Sequence, residues 1–351
     1  MRRITRATVA WLVLMVLGQA VAQEPPKPAP ISSKRVTTTA TESTLALAVA
    51  SITKQSGIDF DLSAVDSSLK VEPIVTTDFW LAAESLAKQT GTRFGPSAGK
   101  VKFTKGTAAP SSVDGPFRVS VKQVVAKRDF DTDRSVYDIM LEVSWEPRFP
   151  IYLIDDVPKI TTATAGKETL KVTPSTGRVP TVGFRQLATV RLQSIPRSAA
   201  IIDVLSGNFN VVASEKLLAV EFKDLTGDKP LSQTFDGVKV TLAPAKRIAN
   251  RVQFDFNLEY PPSHPEFESF ELWASTNTLK LYAPNNRNAY EPNDYATNEA
   301  GRRISASYSY DAPVGKPAPL PDLKGWRAVY ETAGPMVVQT VKFELKGIAL
   351  P

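Results

Sequence analysis

Apolar and polar residues alternate with a period of two through most of this chain. Val119 and Val121 alternate with Ser120 and Lys122. Ile139, Leu141, Val143 and Trp145 share one parity, with Met140, Glu142 and Ser144 on the other. Val252, Phe254, Phe256, Leu258 and Tyr260 alternate with Gln253, Asp255, Asn257 and Glu259. Such runs predict strands with one buried and one wet face. Val337, Val341, Phe343 and Leu345 predict a closing strand. Helical spacing occurs in one region. Leu45, Ala48, Val49 and Ile52 fall on one face of a helix that Ser43 caps and Gly57 ends. Ala82, Ala83, Leu86 and Ala87 do the same for a second, capped by Asp78 and ended by Gly91. Short strands are expected around them at 36–41, 58–62, 69–76 and 100–103. The expected fold class is a small N-terminal α+β domain followed by an all-β region of two consecutive β-sandwiches.

Both regions carry internal repeats. Lys54-Gln55-Ser56-Gly57 and Phe60 match Lys88-Gln89-Thr90-Gly91 and Phe94 at an offset of 34. Two copies with strands between them exclude a tetratricopeptide array of the same period. Further on, Val119 and Val121 match Val238 and Val240 at 119, and Ala126-Lys127-Arg128 matches Ala245-Lys246-Arg247 at the same offset. Leu141-Glu142 matches Leu258-Glu259 at 117, Phe149 matches Phe267 at 118, and Val220 and Phe222 match Val341 and Phe343 at 121. These matches predict sandwiches over 116–225 and 233–350. The α+β domain spans 36–106, and a linker containing Pro110 and Gly115 covers 107–115.

The first 22 residues read as a secretory signal peptide. Arg2, Arg3 and Arg6 precede an apolar run from Ala7 to Leu17, and Ala20-Val21-Ala22 supplies the small-x-small cleavage pattern. Cleavage is expected after Ala22. The alternative is a retained anchor, but Ala7 to Ala22 falls short of the roughly 20 residues a spanning helix needs. No cysteine follows, which excludes a lipid anchor. The expected location is periplasmic or extracellular, with no stable membrane insertion after cleavage. Residues 23–35 carry Pro25, Pro26, Pro28 and Pro30 and read as a stiff linker with nothing to bury.

The stretches "STLALAVASITKQSGIDFDLS" and "VEPIVTTDFWLAAESLAKQTGTRF", followed by a Gly turn and "KVKF", resemble the secretin and TonB receptor N-terminal short domain, the STN family. The resemblance covers 36–106. It implies a protein–protein contact module in the cell envelope, with no catalytic residues. Downstream the chain departs from secretins and TonB-dependent receptors, whose pores and barrels need far longer strand-rich regions. The stretch "GWRAVYETAGPMVVQTVKFELKGIALP" resembles the C-terminal end of uncharacterised secreted proteins of planctomycete type, in which an STN-like start precedes similar strand-rich modules. That likeness carries no activity.

Composition narrows the chemistry. The 351 residues include one His and no Cys. This excludes disulfide scaffolds, Cys-ligated metals, cysteine nucleophiles and multi-histidine metal sites. The formal charge of +6 falls when a signal peptide with three arginines is removed, so no nucleic-acid partner is expected. Asp129, Asp131 and Asp133 begin like a calcium loop, but Arg134 and Met140 stand where Gly and Glu are required, which leaves a polar hairpin tip. His264, between Pro262-side turn residues and Pro265, reads as a surface turn. Asn285 to Arg303 reads as a long solvated excursion between strands. Trp273, Trp326 and Tyr330 are the candidate surface residues for a partner or glycan: Trp273 is off the parity of Phe270 and Leu272, and Trp326 shares one with Tyr330. No catalytic residue, cofactor or metal ligand is assigned. The expected function is a non-enzymatic exported envelope protein that acts by protein–protein interaction. The alternatives are a carbohydrate or cell-surface binder using an aromatic face, and a secreted hydrolase.

Overall fold

A computed structural model describes residues 30–131, 134–174, 176–193, 195–196, 199–214, 216–248, 250–266, 277–311 and 322–351. The chain is mostly β, arranged in several sheets, with two helices among the described residues. Its first part contains β1 (Arg35–Val36), α1 (Leu45–Ser56), β2 (Phe60–Ala64), β3 (Thr77–Asp78), α2 (Phe79–Thr90), β4 (Thr92–Ser97) and β5 (Lys100–Lys105). The helical faces expected from spacing are buried in full. Gly57 and Gly91 end the helices in the left-handed conformation, which costs glycine least. Thr44, not Ser43, caps α1. Of the strand expected over 69–76 only a bridge between Thr44 and Lys70 forms, because Pro73 cannot donate to a ladder, and the two-residue β3 follows beyond it.

Next come β6 (Ser111–Asp114), β7 (Phe117–Asp129), β8 (Arg134–Trp145), β9 (Ile151–Asp155), β10 (Lys159–Ala165), β11 (Glu168–Thr169), β12 (Lys171–Val172), β13 (Arg178–Pro180), β14 (Arg185–Gln193) and β15 (Ile201–Ser214). The remainder is β16 (Leu217–Lys223), β17 (Leu231–Phe235), β18 (Val238–Leu242), β19 (Lys246–Ile248), β20 (Arg251–Glu259), β21 (Thr278–Tyr282), β22 (Asp294–Ala300), β23 (Arg303–Asp311), β24 (Arg327–Ala333) and β25 (Met336–Ala349).

Two pairs of sheets result. In the first, β12-β14-β8-β7-β6 shares a buried cluster with β11-β10-β15-β9-β13, and β25 lies along the other edge of β15. In the second, β17-β18-β20-β23-β22 shares a cluster with β16-β24-β21. The alternation at 252–260 is obeyed at every position: Val252, Phe254, Phe256, Leu258 and Tyr260 are all buried.

The sheets do not follow the boundaries 116–225 and 233–350. β16 lies in the first interval, yet it pairs with β24 and places Leu218, Val220 and Phe222 in the second cluster. β25 lies in the second interval, yet it pairs with β15 and places Val341, Phe343 and Leu345 in the first. In the repeat read from the sequence these two strands correspond, and each lies in the sheet pair of the other interval. The strand lengths match in this arrangement. β15 and β25 have 14 residues each, β16 and β24 have 7 each, and matched lengths leave the fewest backbone groups unpaired. One register runs through both ladders. Val220 faces Tyr330 and Phe222 faces Ala328; the repeat partners Val341 and Phe343 face Phe209 and Gly207. At the junction the Gly334 amide donates to the Lys216 carbonyl at 2.9 Å, in that same register. A Cβ on Gly334 would sit 2.9 Å from that oxygen, so only glycine admits the crossing.

Residues 30–105 do not stand apart. Their apolar side chains belong to the same buried cluster as the first sheet pair. They cover the outward face of β7 and β8, where Arg118, Ser120, Glu142, Ser144 and Glu146 are buried despite their polar parity. Arg118 donates to Glu84 at 2.9 Å and stacks on Phe94, and Trp80 donates to the Pro116 carbonyl. Glu146 accepts from Ser33 Oγ, the Lys34 amide and Arg148 Nε. The stretch expected to be a free linker up to residue 35 is therefore docked from Ile31, which is 3% exposed and donates to Gln339 Oε1. Asn285 to Arg303 is likewise not one long excursion, because it contains β22, the edge partner of β23.

Candidate binding surface

The short sheet β16-β24-β21 turns one face outward. Leu279, Leu281, Ala328 and Tyr330 point into the core, so Thr278, Lys280, Tyr282, Arg327, Val329 and Glu331 take the other side. The register sets Tyr282 beside Arg327 and Thr278 beside Glu331. The Arg327 guanidinium lies 3.9 Å above the Tyr282 ring, a cation–π contact. Glu331 accepts from Lys280 Nζ at 2.9 Å and from Thr278 Oγ1 at 2.8 Å. The Lys280 and Thr278 bonds hold the Glu331 carboxyl below its ordinary range, and Glu331 in turn raises Lys280.

Two further rings lie at the Tyr282 end. Tyr290 exchanges both backbone hydrogen bonds with Leu281 and so extends the sheet by one residue. Tyr290 is 47% exposed, and its ring lies 5.4 Å from that of Trp326. Trp326 is half-buried against the second cluster and is fixed by a turn in which its amide donates to the Leu323 carbonyl. Two ring contacts thus meet at this sheet end: Tyr282 under Arg327 on the outward face, beside the Lys280–Glu331 ion pair, and Tyr290 with Trp326 on the side of the inward-facing Leu281 and Tyr330.

Of the three residues singled out from the sequence, Trp326 lies here. Tyr330 does not: it is fully buried, its ring stacks on Phe256 at 4.4 Å, and its hydroxyl accepts from Asn277 Nδ2. Burial drives that hydroxyl well above its ordinary pKa. Parity revealed that Trp326 and Tyr330 share a side, but that side is the inward one. Trp273 lies outside the described residues, as does Asp133 of the hairpin tip. Tyr282, Tyr290 and Arg327 escaped notice, because only the β21–β24 register pairs Tyr282 with Arg327 and only the Leu281–Tyr290 bridge brings Tyr290 to the sheet end.

His264 is not at the surface. It is 1% exposed, its ring is 4.3 Å from that of Tyr260, and its carbonyl accepts from Arg302 Nε at 2.7 Å. The prolines make the tight turn that was expected, but the turn folds the ring inward. Burial pulls its pKa down to about 4, so the imidazole is neutral. An open groove of about 740 Å³ flanks the first sheet pair, with Asp155, Arg178, Asn208 and Asn210 among its lining. There Asp155 already accepts from the Asn210 amide and side chain and faces Arg178 at 3.5 Å.

No known family model matches the chain, and no curated protein or solved structure is significantly similar to it. Among the described residues no helix is long and apolar enough to cross a membrane.

Proposed function

We propose that this chain is an exported, non-catalytic binding protein of the cell envelope that recognises a protein partner through Tyr282, Tyr290, Trp326 and Arg327. In this reading the two sheet pairs are β-sandwiches. Residues 36–106 are an STN-like α+β module, and the solvent faces of its helices, with Leu47 and Leu81, offer a second contact. The observation that carries the proposal is the part-exposed Tyr290–Trp326 ring pair at one end of the short sheet, with the Tyr282–Arg327 cation–π pair on the outward face at the same end. Tyr, Trp and Arg are the side chains that most often dominate protein interfaces, since they bring large contact areas with few rotatable bonds. A second reading, polysaccharide binding at the same patch, draws on the Tyr290–Trp326 ring pair.

The test is capture of envelope proteins by the immobilised full chain, compared with Tyr290→Ala and Trp326→Ala chains of unchanged circular dichroism. A ring acting as a binding hot spot of about 2 kcal/mol weakens capture roughly thirtyfold on removal. Capture indifferent to both substitutions defeats the protein reading. Retention on a polysaccharide column that both substitutions abolish transfers the patch to the second reading.

A further inference from the structure

β25 does not lie on an open edge; it lies in a slot. One rail is the backbone of β15, paired from Ile201–Ala349 to Ser214–Met336. The other rail is made of side chains. Asp114 accepts from the Lys342 amide at 2.7 Å, Ser112 Oγ accepts from the Glu344 amide at 3.2 Å, and Gln339 reaches the Ile31 amide. Between the rails, Val337, Val341, Phe343, Leu345 and Ile348 enter a core otherwise built by residues 31–213. The register is keyed. Phe343 faces Gly207, where a Cβ would meet the Lys159 carbonyl at 2.5 Å, so that position stays bare and leaves room for the ring. Phe222 faces Ala328 in the other ladder, which is the same large-against-small match.

We infer that this slot is a site for an exchangeable strand, and that the partner it takes is the 336–349 strand of a second copy of this chain. The occupant of the slot is tethered to β24 by Gly334 and Pro335 alone. Its ladder partner and its side-chain rail both come from distant parts of the sequence, so a second copy supplies the same ladder in the same register. Opening the two-residue hinge and exchanging strands loses no pairing in the slot; the tether only raises the effective concentration of the cis strand. The trade of β16 and β25 within the chain is the same exchange between the two repeats. The result is a dimer in which each copy fills the other's slot by strand addition.

The chain has no cysteine, which permits a clean test. Asn210 and Thr340 face each other across the β15–β25 ladder, outside the core. Full-length chains bearing Asn210→Cys and Thr340→Cys are prepared separately, and each is required to melt at the wild-type temperature. They are then mixed, refolded together at high concentration and oxidised. A disulfide joining an Asn210→Cys chain to a Thr340→Cys chain forms only when the strand of one copy occupies the slot of the other. The expected result is that mixed dimer on a non-reducing gel, more abundant at higher refolding concentration, with little homodimer of either variant. Mixed dimer that is absent at every concentration, or that is no more abundant than the two homodimers, overturns the inference. Should the Asn210 variant melt early, the Val212→Cys and Val338→Cys pair, also opposed in the ladder, carries the same reading.

Discussion

A histidine kept neutral inside a fold makes stability depend on pH. His264 is buried against Tyr260, and its folded pKa of about 4 lies below the value of about 6.5 that an unfolded chain shows. Between those values the unfolded state binds the extra proton, so stability is complete above pH 6.5 and falls as the pH drops towards 4. The loss approaches roughly 3 kcal/mol at the lower end. Carboxylates act in a different window. Asp138, lowered mainly by Arg191, and Glu331, lowered mainly by Lys280, contribute stability that is present above about pH 4 and lost below it. Thermal unfolding at a series of pH values should therefore show a steady decline from 6.5 to 4 in the native chain. In a His264→Asn chain that decline should be much flatter. An equal slope in both would assign the effect to another group. The sequence places His264 in a proline-bounded turn, and the turn exists. Which way the ring points depends on Tyr260 and Arg302, whose positions no local pattern records.

At the scale of single elements, β25 is a core strand of residues distant from it in sequence. Truncating Phe343 to Ala should remove about 3–5 kcal/mol of stability, as for other buried aromatic rings. Urea unfolding followed by tryptophan emission measures it, since Trp80 and Trp145 are buried in the same cluster as Phe343. A change below about 1 kcal/mol would mean that the strand contributes little to that core. Strands such as β20 and the buried faces of α1 and α2 were legible because a one-sided core writes its own period into the residues that line it. The polar parity of β7 and β8 was legible too, but its meaning was not. Arg118, Ser120, Glu142 and Ser144 look like a wet face, and residues 30–105 cover it. Pairing partners were the least legible. The repeat read from the sequence makes β16 and β25 equivalent, and equivalence alone fits either acceptor; only the ladders themselves record the choice. The binding patch was legible only as far as Trp326, because Tyr282 and Arg327 meet through a register between strands about 45 residues apart.

For the whole molecule, the traded strands remove the independence that two repeats would otherwise have. Neither sheet pair is complete without a segment that leads into the other, and Tyr152, Leu153 and Val212 of the first pair pack in the second cluster. Scanning calorimetry of the native chain should give one transition whose calorimetric and van't Hoff enthalpies agree. Two resolved transitions would show that the sheet pairs melt separately. The slot also bears on the order in which the chain is made. At roughly 5–20 residues per second, a ribosome reaches residue 336 on the order of ten seconds after it has finished Ser214. For that interval the earlier half of the molecule waits with a gap along β15. It becomes a finished body only when synthesis has moved more than a hundred residues further on.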